Sequence, residues 1–431
     1  MKDFDLLHPR DQIIAVMDRV YVHNMTTTSG GNISIRDENG DIWMTPARVD
    51  KGRLRRQDVV KLSPEGNPEG IHPPSSEAPF HLAIYESRPD VNAIIHAHPG
   101  ALVSFSICNS VPDTRIFPES YGICGKPGFA PYAVPGSRRL GENIAREFAS
   151  AGAPTCVVLE NHGVVVGGRD LAKTFAAFET LEFTALTLIN ARRLGDVRFL
   201  NESEIERTKT ARQPLSETPP ERPTSREKEL RKAICDFVHR AYDHRLMTST
   251  WGSFSARIDD RSFVITPTHV DRAALDIEDL IVIRDGKRAK GSVPSRAVSI
   301  HAAIYAAHPE ICSVVNALPI HATAFSVSET VLDTRTIPES FIFLKDVVKI
   351  PFTEQFGDLS EVVKTVTPKR PVALLEHNGA LVAGRSVLDA FDRLEVLEAT
   401  AAAIIRSAPL GRIRPMPEYV IDELLRAFPS V

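Results

Sequence analysis

Apolar residues recur along the chain with two periods, one typical of helices and one typical of strands. Apolar residues spaced three to four apart predict helices over residues 10–24, 73–87, 100–108 and 170–193. The second of these begins with Pro73-Pro74-Ser75-Ser76, residue types that are favoured at the start of a helix. Short β-branched runs predict buried strands at 91–95, 155–160 and 164–166. Asn39-Gly40 predicts a hairpin turn, and the proline-containing stretch 109–135 is predicted to be a loop. Helices that alternate with strands and hairpins indicate a layered α/β domain with a partly antiparallel sheet.

A stretch of linker composition divides the chain. Residues 208–226 contain four prolines and almost nothing apolar. After them the first half recurs: Thr45-Pro46 returns as Thr266-Pro267 and His81 as His301, at offsets of 221 and 220 residues. Matches at nearly constant offsets indicate a tandem duplication of one fold. The predicted domains are therefore 1–207 and 227–431.

The strand at 91–95 leads into His96-Ala97-His98-Pro99. Side chains two apart on a strand point to the same face, so His96 and His98 can direct two imidazoles at one point. Neutral imidazoles are ligands for divalent metal ions. Two hydrogen-bonded histidines near a strand end would show the same pattern.

Comparison of the two repeats separates residues that the fold needs from candidates for chemistry. The second repeat keeps the hydrophobic runs but replaces the following residues: Asn32 by Ser253, Glu77 by Ala297, His96 by Asn316, His98 by Leu318, Tyr132 by Phe352 and His162 by Asn378. Core packing gives no reason for three histidines to disappear together. Three histidines with an open position are typical of a catalytic metal site, which we predict in the first repeat only. His81 persists as His301 and is predicted to be a helix-packing or capping residue.

Composition and charge argue against a nucleic-acid-binding, membrane or secreted protein. With 43% hydrophobic and 25% charged residues the chain has a globular composition, and its net charge of −4 provides no basic surface for nucleic acid or membrane. No apolar run is long enough to span a bilayer, and the N-terminus lacks a signal pattern. The five cysteines have no paired spacing. These features predict a cytoplasmic protein with free thiols.

Six motifs, in this order, give the first half its resemblance to the class II aldolase/adducin family: Gly31-Asn32-Ile33-Ser34, Thr45-Pro46, Ser75-Ser76-Glu77, His96-Ala97-His98-Pro99, Pro131-Tyr132-Ala133 and Asn161-His162-Gly163. The resemblance covers nearly the whole chain, twice. It implies a tandem pair of α/β/α three-layer domains with mixed, largely antiparallel central sheets, of which the second is degenerate. It also implies a symmetric homo-oligomer with sites at subunit interfaces; for tandem chains we expect a dimer that forms a four-domain ring.

The resemblance also implies roles for particular residues. His96, His98 and His162 would bind a divalent metal ion, zinc in the first place, with manganese, iron or cobalt as alternatives. Glu77 would be the acid/base beside the metal, and Tyr132 a proton donor that reaches a neighbouring site. The positions that hold a substrate phosphate in sugar-phosphate members are matched by Asn32, Ser75 and Ser76.

The chain departs from the sugar-phosphate members directly after Thr45-Pro46. There the family has a small hydroxyl residue and a glycine that help to hold phosphate, whereas this chain has Ala47-Arg48. A guanidinium suits a carboxylate, through a two-pronged hydrogen bond, better than it suits a tight backbone nest for phosphate. Arg48 is therefore predicted to bind a substrate carboxylate.

Together these features predict a metal-dependent carbon–carbon lyase with a small-molecule substrate and no nucleic-acid or membrane partner. It would cleave a small hydroxylated carboxylate, by decarboxylation or retro-aldol cleavage, through a metal-stabilised enolate. Two alternatives remain open: a sugar-phosphate aldolase or 4-epimerase, and a non-catalytic adducin-like interaction module.

Overall fold

The chain forms two compact units, Lys2–Leu186 and Thr187–Val431. The computed structural model describes residues 4–210 and 215–428, so residues 211–214 of the predicted linker lie outside the described residues. All five cysteines lie in the described part of the chain and are free thiols. Within the same described ranges, no helix is both long and apolar enough to cross a membrane.

The first unit is built on an eight-stranded sheet. Its strands are Asn32–Arg36 (β1), Ile42–Met44 (β2), Val60–Leu62 (β3), Pro68–Glu69 (β4), Ala93–Ala97 (β5), Gly128–Ala130 (β6), Cys156–Leu159 (β7) and Gly163–Gly168 (β8). The strand order is β4-β3-β2-β1-β5-β8-β7-β6, in which only the β6–β7 pair is parallel. Its helices are Pro9–Val22 (α1), Ala78–Ser87 (α2), Gly100–Ile107 (α3), Pro118–Cys124 (α4), Arg138–Phe148 (α5) and Leu171–Leu194 (α6), which continues past Leu186.

The second unit repeats this plan on a nine-stranded sheet. Its strands are Glu217–Thr218 (β9), Ser253–Asp259 (β10), Ser262–Ile265 (β11), Ile281–Arg284 (β12), Lys287–Ala289 (β13), Ser313–Ala317 (β14), Val348–Ile350 (β15), Val372–Leu375 (β16) and Gly379–Gly384 (β17). They lie in the order β15-β16-β17-β14-β10-β11-β12-β13-β9, with β15–β16 and β13–β9 parallel. Its helices are Glu202–Thr210 (α7), Ser225–Asp243 (α8), Val298–Ala307 (α9), Ile320–Ser326 (α10), Pro338–Leu344 (α11), Ser360–Thr365 (α12), Val387–Ser407 (α13) and Glu418–Ala427 (α14). The predicted tandem pair of α/β/α domains with mixed, largely antiparallel sheets is confirmed.

The sheet of the first unit is covered by apolar helix faces. One core contains Ile84 of α2, Ile144 and Phe148 of α5, and Ile94 and Val165 of the sheet. Burying a large aliphatic or aromatic side chain of this kind contributes about 1.5–3 kcal/mol. Since β5 lies between β1 and β8 and all five of its residues are buried, the strand that leads into the histidines is held on both edges and both faces.

The structure differs from the sequence-based prediction in a predicted loop, in the start of a predicted helix and in the predicted linker. The stretch 109–135 contains α4 and β6. Its prolines are compatible with both elements: Pro118 stands in the first turn of α4, where a missing N–H is tolerated, and β6 pairs only along one edge. The second helix begins at Ala78 and not at Pro73. Within the linker, β9 pairs with β13, which backbone hydrogen bonds can support without apolar side chains.

Candidate metal centre

Glycines allow the strand that carries the histidines to approach its neighbours closely. A Cβ atom on Gly31, whose φ is +69°, would lie 2.9 Å from the carbonyl oxygen of His96. A Cβ on Gly163 would lie 2.6 Å from the carbonyl oxygen of Ala97, and one on Gly30 would lie 3.3 Å from Nδ1 of His98. These glycines therefore make room for β5 and for the imidazoles beside it.

The three predicted histidine ligands come together in the first unit. His96 and His98 stand at the end of β5, and His162 stands in the turn between β7 and β8, after Asn161 with a φ of 51°. One ligand atom from each histidine lies within 4.8 Å of the others. The rings of His98 and His162 are stacked with centroids 5.1 Å apart, and the ring of His96 stands edge-on to both.

Protonation and hydrogen bonding leave these imidazoles suited to a metal ion. His96 Nδ1–H donates to the carbonyl oxygen of Val164 at 2.9 Å, which leaves Nε2 as the lone-pair nitrogen. That buried Nε2 has no hydrogen-bond partner among the described residues. Burial lowers the pKa of His98 to about 3 and the pKa of His162 to about 4, so both rings are neutral near pH 7. The set could hold a divalent metal ion and leave a coordination position open.

Glu77 lies directly against two of the three histidines. Its Oε2 is 3.1 Å from His96 Nε2, and its Oε1 is 3.4 Å from His162 Nε2. The side-chain amide of Asn32 donates to Oε2 at 2.8 Å. Burial raises the pKa of Glu77, whereas positive charge on His96 or His162, when these rings are protonated, and the Asn32 hydrogen bond lower it, and the balance leaves the pKa below its usual range. The carboxylate is therefore ionised beside the candidate metal position.

A buried chain of hydrogen bonds behind Glu77 was missed by sequence reasoning. His81 does not cap its helix: its Nε2–H donates to Asn32 Oδ1 at 2.5 Å, and its Nδ1 lies 2.7 Å from the hydroxyl of Ser34. Ser34 in turn lies 2.7 Å from the hydroxyl of Tyr85. The chain fixes both ends of the Asn32 amide and, through it, Glu77. Its sequence signal was the spacing of two residues on β1 and of four on α2, which places each pair on one face.

The remaining predicted residues lie on the loops around this cluster. Ser75 is buried and its hydroxyl accepts from the Glu77 N–H at 3.3 Å, whereas Ser76 is exposed. The loop that carries Arg48 runs beside them, because the Ala47 N–H donates to the carbonyl oxygen of Pro73 at 3.1 Å. Tyr132 is 51% exposed. Among the described residues, no hydrogen bond or ring contact joins Arg48 or Tyr132 to the histidines.

The backbone of Arg48 is left-handed, with a φ of 55°, which is uncommon for a residue other than glycine. Its counterpart His269 has a φ of 59°. Because both repeats have this conformation, it belongs to the fold and is not strain specific to the site. The exposed Arg48 side chain is free to differ from the family's glycine without changing the loop.

In the second unit the equivalent positions are closed by packing and amide hydrogen bonds. Asn316, which replaces His96, accepts from His301 Nε2 at 2.8 Å. Asn378, which replaces His162, donates to Gln355 at 3.2 Å. Leu318 and Phe352 are each 1% exposed. Of the residues that the structure describes, only His96, His98 and His162 form a group of three or more side chains able to hold a metal ion.

Known proteins resemble this chain one repeat at a time. A 3-oxo-tetronate 4-phosphate decarboxylase from Haemophilus influenzae is 33% identical over 190 residues, 43% of this chain and 89% of the relative. An L-fuculose phosphate aldolase from Methanocaldococcus jannaschii is 34% identical over 184 residues, 42% of this chain and 96% of the relative. A solved structure of an L-fuculose 1-phosphate aldolase is 28% identical, with a TM-score of 0.42, over 46% of this chain and 92% of that chain.

The family that these relatives represent matches both repeats. The sequence model described as class II aldolase and adducin N-terminal domain aligns with residues 11–189 and again with residues 232–405. Each segment contains one of the two sheets, apart from the added strand β9. The chain therefore belongs to the class II aldolase and adducin N-terminal domain family, of which it carries two copies.

Proposed function

We propose that the first repeat is a metal-dependent carbon–carbon lyase that acts on a small hydroxylated carboxylate, by decarboxylation or by retro-aldol cleavage. The observation that carries the proposal is the group formed by His96, His98 and His162 with Glu77 against it. All four residues are replaced in the second repeat, which keeps the fold. A site used only for packing would not require this joint loss.

His96, His98 and His162 would hold the ion, zinc in the first place, with manganese, iron or cobalt as alternatives. A bound divalent ion supplies a Lewis acid that polarises substrate oxygens and stabilises the charge left when a carbon–carbon bond breaks. The hydrogen bond from His96 Nδ1–H to Val164 fixes the orientation of that ring. Burial keeps His98 and His162 neutral and therefore available as ligands.

Glu77 would move the proton of the reaction. Its Oε2 accepts from Asn32, whereas its buried Oε1 has no hydrogen-bond partner among the described residues. Oε1 is therefore the atom at which a substrate proton can be taken up or returned. Both ends of the Asn32 amide are engaged, so we assign Asn32 to positioning Glu77 and not to binding phosphate.

The loops that would bind the substrate carry Arg48, Ser75 and Ser76. The exposed guanidinium of Arg48 offers paired N–H groups that suit a carboxylate. The relatives' names include both a decarboxylase and aldolases, and both reactions leave negative charge beside the broken bond. The relatives named here are phosphate-substrate enzymes, so a sugar-phosphate aldolase is the second candidate, with Ser75 and Ser76 as its phosphate ligands.

Tyr132 would act as a proton donor to a neighbouring site. Its side chain is 51% exposed, so it is accessible to another subunit. Its counterpart Phe352 is buried, with its ring 5.8 Å from that of His377, and cannot be presented in the same way.

Metal content tests the proposal directly. We expect one tightly bound divalent ion per chain, and we expect His98→Leu, which copies Leu318, to lose the ion while keeping the fold. The matched control is His244→Leu at an exposed histidine of the second unit, which should keep the ion. A panel of hydroxy acids and sugar phosphates, monitored for CO2 and aldehyde, then identifies the reaction. Close to two ions per chain, or full metal content in His98→Leu, would disprove the assignment.

A further inference from the structure

The segment that follows the long helix is equivalent in the two repeats. Gly195-Asp-Val-Arg-Phe-Leu200, here called the first tail, follows α6, and Gly411-Arg-Ile-Arg-Pro-Met416, the second tail, follows α13. The offset is 216 residues, the same offset that relates Glu160 to Glu376. A glycine, a β-branched residue, an arginine and a long apolar residue therefore recur at matching positions.

The first tail is docked on the second repeat within the second unit. Val197 forms an antiparallel bridge with Ser328, and the Arg198 N–H donates to the carbonyl oxygen of Val327 at 3.1 Å. The Arg198 guanidinium lies 3.0 Å from Glu376 Oε1. Beneath the tail, Val327 is 2% exposed and Ser328 is 4% exposed.

The equivalent surface of the first repeat is uncovered. Ile107, the counterpart of Val327, is 60% exposed, and Cys108, the counterpart of Ser328, is also exposed. Glu160 holds its carboxylate as Glu376 does, since its Oε2 accepts from the Tyr132 N–H at 2.8 Å. Its Oε1, the atom that binds arginine in the second repeat, accepts only a 3.3 Å hydrogen bond from exposed Asn109 among the contacts of the described residues.

The second tail is exposed next to an anchored helix. Ile413 is 39% exposed, and Arg414 is exposed and forms no ion pair within the described residues. Past it, the Met416 N–H donates to the carbonyl oxygen of Arg335 at 2.8 Å. Ile421 of α14 is only 2% exposed. The second tail is therefore tethered at one end and presents an apolar side chain and a cation.

We propose that the second tail docks on the first repeat of a second copy of this chain. Ile413 would cover Ile107 and pair with Cys108, and Arg414 would bind Glu160, as Val197 and Arg198 do within the second unit. Both surfaces are exposed, and the partner we propose is a second copy because this chain itself carries the tail that matches the surface. Two copies that each supply one tail and one surface form a closed pair with two identical contacts. Because Glu160 is two residues before His162, Arg414 of the second copy would lie at the rim of the candidate metal centre.

The charge of the second tail tests the contact through the mass of the particle in solution. We expect a wild-type mass of twice 47.5 kDa, and we expect Arg414→Glu to weaken dimer formation by at least about 30-fold, because an arginine–glutamate pair becomes a repulsive pair. Arg412→Glu is the matched control: its counterpart in the docked first tail is Asp196, so an acid is compatible there. Sedimentation over a range of protein concentrations measures all three. A monomeric wild type, or an Arg414→Glu protein that dimerises like the wild type, overturns the proposal.

A native cysteine provides a second test that does not depend on charge. Bridged residues on antiparallel strands have Cα atoms about 4.5–5.5 Å apart, which is within the range for a disulfide. Ile413→Cys should therefore form a disulfide with Cys108 of the second copy under mild oxidation and give a dimer on a non-reducing gel. Ile413→Cys combined with Cys108→Ser should not. Equal cross-linking in both proteins, or cross-linking in neither, contradicts the proposed pairing.

Discussion

Asn32→Ser combined with His96→Asn would give the first repeat the pair of residues that the second repeat carries. In the first repeat His81 donates to Asn32 at 2.5 Å; in the second, His301 donates to Asn316 at 2.8 Å. Asn32 is paired with His96 across β1 and β5, and Ser253 with Asn316 across β10 and β14. The asparagine that accepts from the buried histidine therefore stands on β1 in the first repeat and on β14, the strand next to β10, in the second repeat.

The expected loss in the free energy of unfolding follows from the buried groups that lose a hydrogen-bond partner. Asn32→Ser alone removes the acceptor for His81 and the donor for Glu77, both buried. A buried polar group without a partner costs about 1–3 kcal/mol, so the single change, which leaves two such groups, should cost about 2–6 kcal/mol. In the double variant the asparagine introduced by His96→Asn can accept from His81, and about 1–2 kcal/mol should be recovered relative to the sum of the two single changes.

Thermal unfolding of the wild type, both single variants and the double variant measures this coupling. The proteins should be compared with chelator present, because a bound metal would itself stabilise the wild type. For a domain of this size about 1 kcal/mol corresponds to about 2–4 °C in Tm, so the double variant should melt several degrees above the additive expectation. Additive losses would refute the idea that the amide at either strand position serves the same buried histidine.

Two further predictions concern the substrate and the dependence on pH. Arg48→Ala should lower kcat/KM for carboxylate substrates by about 10- to 100-fold, since a charged hydrogen bond contributes about 1.5–3 kcal/mol. Efficient cleavage of fuculose 1-phosphate that is the same in the wild type and in Arg48→Ala would contradict the carboxylate assignment. Burial lowers the pKa of His301 to about 4 from 6.5. Because the unfolded chain takes up a proton that the folded chain excludes, the free energy of unfolding should fall by about 1.4 kcal/mol for each pH unit of acidification between these values. In His301→Gln the free energy of unfolding, measured with denaturant, should depend less on pH between about pH 4 and 6.5. If its slope against pH is the same as in the wild type, His301 is not a neutral, buried histidine.

The duplication, the α/β layers and the histidine cluster could be predicted from the sequence. Periodicity reports which face of each element is buried, and that information is local. The loss of His96, His98 and His162 in one copy provided the comparison that pointed to a metal site. The helix α4 and the strand β6 were missed, because elements of seven and three residues are stabilised mainly by tertiary packing.

The sequence by itself determined which residues are candidates for the chemistry, because possible ligands two apart on one strand, and residues that one repeat has lost, can be recognised from the order of the residues alone. Only the tertiary structure decided how those residues are supported. Asn32 meets Glu77 across 45 residues of chain and His81 across 49. Such contacts depend on strand register and on the packing of α2 against the sheet, which no local pattern encodes. The same reason explains why the docked first tail was invisible in the sequence: Arg198 and Glu376 are ordinary charged residues until the fold brings them within 3.0 Å.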